Sequence, residues 1–183
     1  MGLLTRIRWG RVLLATTAAA GLWQIATERE RAPELTADQT LLTNRPWIDR
    51  LPRSERDVIG HLVFLDAGEP RTGAVGRSST WQQSAERFQW VSAPDHLTLT
   101  FPQSGKTGKL RYEVRACTAP EPMNLCLKIG PGRAAPTLYS STEWTLDRAD
   151  ADAVRSAIPI DPETESESVE LKLIELMEPE EEE

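Results

Sequence analysis

Histidine and cysteine are scarce in this chain of 183 residues, which has two of each. A histidine metal site or a histidine-based nucleophile relay would need both His61 and His96 together with a further partner. His61 lies in an apolar run and His96 follows Pro94 and Asp95, so they read as a half-buried strand residue and a turn residue. The strained serine elbow of hydrolases, the glycine-rich phosphate loop and the paired histidines of zinc proteases are all missing. Gly130, Pro131 and Gly132 before Arg133 come nearest to an anion loop, and they read as a turn beside a surface arginine. Asp147, Asp150 and Asp152 lack the spacing of a calcium loop and read as the start of a short helix. These absences argue against an enzyme, and they call for no metal and no cofactor.

Positive charge is also in short supply. The formal net charge is −7, and residues 161–183 alone carry eleven acidic side chains against Lys172. Residues 28–160 balance to zero, which leaves no basic field for nucleic acid. Long apolar runs are absent too. The best of them, residues 12–26, is short and polar for a membrane span, which needs about 20 predominantly apolar residues. It follows Arg6, Arg8 and Arg11, and Ala18, Ala19 and Ala20 offer a small-residue cleavage site. Residues 1–26 therefore read as an export segment, either a cleaved signal peptide or an uncleaved anchor, and the membrane enters only through it. The remainder belongs outside the cytoplasm, periplasmic or extracellular.

Cys117 and Cys126 agree with that address. A zinc site lacks two further ligands nearby, and the spacing is far from that of a redox pair, so the two are expected to form a structural disulfide across a hairpin.

What the chain has in quantity is short alternating runs bounded by glycine and proline. Residues 58–65, 75–82, 87–92, 96–101, 109–116, 125–129 and 137–146 are seven such runs. Leu97, Leu99 and Phe101 alternate with polar neighbours, as do Leu110, Tyr112, Val114 and Ala116. This spacing predicts an all-β, up-and-down antiparallel barrel of seven to eight strands over residues 41–148. Residues 27–40 read as a linker, with Trp47 laid across one end of the barrel by a turn containing Pro46 and Pro52. Residues 149–160 read as a short helix or linker, and 161–183 as a disordered acidic tail. One apolar island interrupts that tail at 169–177. It suits an edge strand, a brief helix or a partner-binding motif.

Trp81, Phe88, Trp90, Tyr112 and Trp144 fall where alternation sends them inward, beside Ser79, Ser140 and Thr142. They are the candidate lining of an apolar ligand cavity.

Trp47 after Asn44, Arg45 and Pro46, together with Arg148 after Trp144 and Asp147, makes the chain resemble the lipocalin-like (calycin) barrels. In that class a tryptophan opens the first strand and an arginine packs across it. Arg45 stands here where the class usually has glycine. The resemblance implies an exported up-and-down barrel closed by Trp47 and Arg148, and it brings no catalytic residue. The expected function is binding of a small apolar or amphipathic molecule inside the barrel. The rival expectation is a cell-envelope interaction module with a packed core, meeting a protein partner through its surface and acidic tail.

Overall fold

The computed structural model describes residues 35–132, 135–146, 158–165 and 171–179. The export segment, Arg133, Arg148 and the Asp147–Asp150–Asp152 group lie outside the described residues. Two short helices are described, α1 (Ala37–Leu42) and α2 (Leu173–Leu176). The strands are β1 (Pro46–Ile48), β2 (Ile59–Leu65), β3 (Arg71–Ser78), β4 (Gln83–Ser92) and β5 (Leu97–Phe101). They continue as β6 (Lys106–Leu110), β7 (Tyr112–Ala116), β8 (Leu125–Ile129), β9 (Thr137–Ser140) and β10 (Glu178–Pro179).

All ten lie in one sheet, in the order β10-β6-β5-β4-β3-β2-β1-β9-β8-β7, and every described pairing is antiparallel. The all-β antiparallel expectation holds. The sheet is curled into a half-barrel, and the reason lies at Arg111. β6 and β7 are separated by that residue alone, yet they stand near opposite ends of the strand order. One continuous stretch of chain thus serves β5 with its first half and β8 with its second. The Arg111 carbonyl accepts the Gly130 amide at 2.8 Å, which anchors the crossing. The run at 109–116, read from sequence as one strand, is therefore two.

Alternation sets the inner face. Leu62 and Phe64 on β2, Phe88 and Trp90 on β4, and Leu97, Leu99 and Phe101 on β5 point into the concave side with Trp47 of β1. Each of these is 1 % exposed or less. Phe64 meets Phe88 and Trp90 edge-on, with ring centroids at 5.4 and 6.0 Å. Gly73 lies opposite Phe88, whose ring occupies the space a side chain at 73 would need. A second apolar cluster of Ile48, Leu51, Ile59, Met123 and Trp144 gathers separately. Ile48 and Ile59 belong there because they stand on the other face of β1 and β2.

Cys117 and Cys126 form the expected disulfide, with Cα atoms 5.7 Å apart, tying the residue after β7 to β8. Four other expectations need correction. Residues 37–42, taken partly as linker, form α1, because Thr36 and Gln39 make a reciprocal capping box. Residues 46–48, expected as a turn or short 3₁₀ segment, form β1, which sets Trp47 on the first strand. The last run ends at Ser140 rather than residue 146, because a turn follows in which Trp144 donates to the Ser141 carbonyl. Finally, the tail is not disordered over residues 171–179. Its apolar island forms α2 and leads into β10, which pairs Glu178 with Lys109 and Pro179 with Gly108 on the outer edge of β6. Burial decides this: Leu173 is 2 % exposed within the main core, and Leu171, Ile174, Leu176 and Met177 pack half-buried around it.

Candidate functional site

The five aromatic residues singled out by alternation do not line one cavity. Phe88 and Trp90 sit together in the main core, and the Trp90 indole N–H donates to the Thr72 carbonyl at 3.0 Å. The Arg71 guanidinium lies 5.1 Å from the Trp90 ring centroid. Tyr112 is half-buried against the same core. Burial raises the pKa of its phenol, with a hydrogen bond from Gln39 opposing the shift. Trp144 belongs to the second cluster. Trp81 is 74 % exposed: β3 has already ended, and the Trp81 and Gln82 amides both donate to the Ser79 hydroxyl in the connecting turn. Trp47 is fully buried, and its indole N–H donates to the Leu42 carbonyl at 2.8 Å.

With the deep interior filled by these side chains, free volume lies at the periphery. One cavity of about 440 Å³ opens where β3 and β4 meet the C-terminal segment. Its walls include Gly76, Arg77, Ser84, Glu86, Lys106 and Leu173. The floor is apolar, since Val75 and Phe101 reach it from the core. The charged lining side chains include Arg77, Lys106 and Lys172 with Glu86 and Glu175, while Arg111, beyond the far end of β6 from Lys106, pairs with Glu178 at 3.4 Å. An apolar floor under cationic side chains suits an aliphatic chain that ends in an acid. Sequence reasoning missed Gly108, which makes this arrangement fit. Its missing side chain leaves room for Met177, whose methyl would stand 2.7 Å from a β-carbon there. A glycine inside a strand was the available signal.

A second cleft of about 350 Å³ lies against the loop after β1, lined by Asp57, Ile59, Ser78, Thr80, Ile158 and Ile160 among others. Asp57 shapes it by accepting both guanidinium nitrogens of Arg50, at 2.6 and 2.8 Å, and the Arg53 amide at 2.7 Å. The Arg50 hydrogen bond is the main cause that holds the Asp57 carboxyl at a pKa of about 2, and the Arg50 guanidinium is raised in return. His61 contacts the Ser78 hydroxyl at 3.2 Å, and burial pushes its pKa below the usual histidine range. His96 pairs with Asp95 at 2.8 Å, far along the chain from His61. Among the described residues no three His, Cys, Asp or Glu side chains converge as a metal would require.

The comparisons returned no family model, no curated protein and no solved structure. The function has to be argued from the cavities themselves.

Proposed function

We propose that the chain is an exported, lipocalin-like barrel that binds a small amphipathic molecule, apolar with an acidic head, at one mouth. The closed-barrel reading treats β6 and β7 as one strand. The circuit then runs β1 to β5, through that shared strand, to β8 and β9, and β9 returns to β1 through Ile48 and Tyr139. Export rests on the N-terminal pattern of arginines, apolar run and alanine triplet. The binding reading rests on one observation. A cavity of about 440 Å³ has an apolar floor at Val75 and Phe101, with Arg77, Lys106 and Lys172 outnumbering Glu86 and Glu175 on its lining. The chain's own apolar segment lines it through Leu171, Leu173 and Ile174, with Leu173 in the core. The binder acts by desolvation and charge pairing, with no reaction step.

Native mass spectrometry on the full chain, purified from an oxidising compartment, tests this. The expected result is a reproducible extra mass that solvent extraction removes. A bare mass, with no uptake of an added long-chain fatty acid, overturns it. A second reading, a protein-interaction module, draws on a different feature. Trp81 and Ile160 are 74 % and 47 % exposed, Trp81 follows Thr80 of the second cleft, and Ile160 lines it. Under that reading Trp81→Ala abolishes partner capture and leaves fatty-acid uptake intact.

A further inference from the structure

The C-terminal segment walls the cavity through residues 171–175 and covers part of its apolar floor, and it is held there by weak attachments. Its helix α2 has four residues, and Lys172 at its N-terminus makes no side-chain capping bond. Its strand β10 has two residues, and Pro179 has no amide to give the ladder. The Arg111–Glu178 pair is 60 % and 43 % exposed, so water screens it. Only Leu173 is fully buried, while Leu171, Ile174, Leu176 and Met177 are half-buried around it. The segment nevertheless covers the apolar floor that a ligand's chain would use. It lays aliphatic side chains beside Val75 and Phe101 on the apolar floor, and Lys172 and Glu175 stand on the lining next to Arg77 and Lys106.

We infer that residues 171–179 are a displaceable plug, an occupant built into the chain that an acidic amphiphile must expel from the mouth. The inference rests on the reading of the mouth as a ligand site, and it adds the regulation of that site. Apparent affinity is set by the fraction of molecules with the plug released, so anything that loosens the plug tightens binding. β10 also covers the outer edge of β6. Release of the plug therefore exposes unpaired strand groups together with the cavity.

The test uses the full chain and its Leu173→Glu variant, titrated with cis-parinaric acid, a fluorescent long-chain fatty acid. Amide hydrogen exchange of residues 173–178 is followed in the unaltered protein with and without ligand. The expected result is binding at least tenfold tighter in Leu173→Glu, with loss of protection over 173–178 when the unaltered protein is saturated. Equal affinity in the two proteins, or undiminished protection at saturation, overturns the plug and leaves the binding site standing. No binding by either protein overturns the binding site and the plug with it. Should Leu173→Glu fail to fold, as judged by loss of near-ultraviolet tryptophan signal, the exchange comparison on the unaltered protein decides alone.

Discussion

The curled sheet is closed at two ends by short segments that differ in how they are anchored. α1 lies at the end where β4 finishes, since Gln39 reaches the Ala93 carbonyl at 3.1 Å. Residues 171–175 of the C-terminal segment lie at the end where β4 begins, beside Ser84 and Glu86, before β10 runs along β6 to Lys109. Each inserts one leucine into the same core, Leu42 at 0 % and Leu173 at 2 % exposure. Around Leu42 every attachment is duplicated. Thr36 and Gln39 cap each other, at 2.9 and 3.3 Å, and the buried Trp47 indole donates to the Leu42 carbonyl. Around Leu173 no side-chain cap is made, and the ion pairs at Arg111 and Lys172 face water. Burial of one leucine is common to both. What separates them is whether the polar backbone groups of the segment are satisfied by buried partners, and that decides whether a closure opens alone or only with the whole fold.

The largest test of this difference is a matched pair of truncations. Leu42→Ala should cost about 2–5 kcal/mol of global stability, read from the denaturant midpoint, as expected for a filled core position. Leu173→Ala should barely move that midpoint, because the cost is capped by the docking free energy of the segment. It should instead speed amide exchange over residues 173–178 at least tenfold. Equal midpoint shifts in the two variants would erase the distinction between the ends.

Replacement of both cysteines by serine acts on the wall and not on either closure. The bridge from Cys117 to Cys126 spans a separation of nine residues. Its loss should cost about 2–3 kcal/mol in the chain-entropy picture. Global unfolding should shift while local exchange at 173–178 stays put. A parallel change at 173–178 would mean that the plug opens only with the wall.

Acid gives a smaller effect with a defined sign. Asp57 has its pKa held at about 2 in the fold, below the unfolded value near 3.9. The Arg50–Asp57 pair therefore contributes its full stability above about pH 4 and loses it as pH falls toward 2. Because Asp57 keeps some solvent contact, the loss should be on the order of 1–2 kcal/mol. Asp57→Asn should flatten that part of the pH profile.

Much of this architecture was legible where one face of a strand is buried and the other wet. β2, β5 and β8 begin and end within a residue of the alternating runs, because a period of two is a direct record of burial. The failures occur where the same period continues without a sheet. Trp81 keeps step with β3 but sits in the turn held by Ser79, and Trp144 keeps step with β9 but follows a chain reversal at Ser141. Ala116 alternates correctly and is nonetheless exposed, since β7 ends a free edge of the sheet. The plug was half visible. Its apolar island stood out, but the surrounding glutamates suggested disorder, and only tertiary contact with the glycine at 108 shows where it docks. The capping pair Thr36 and Gln39 was present in the sequence, in a stretch whose charge read as linker.

That capping pair suggests the smallest and sharpest change. Thr36→Ala should cost about 1 kcal/mol, the usual worth of an N-cap hydroxyl. The reverse experiment builds the missing cap at the other end. Lys172→Ser places a hydroxyl three residues before Glu175, the spacing of Thr36 and Gln39. The hydroxyl can then accept the Glu175 amide, and the carboxylate can reach back to the amide of residue 172. The substitution also removes the exposed Lys172–Glu175 ion pair, which at 3.5 Å and more than half exposed on both sides contributes little. The net expectation is a gain of about 0.5–1 kcal/mol in docking, seen as two- to fivefold slower exchange over 173–178. Fatty-acid affinity should fall by the same factor, because a better-anchored plug is a stronger competitor. Slower exchange with unchanged affinity would separate the plug from the site, and it would return residues 171–179 to the fixed wall of the curled sheet.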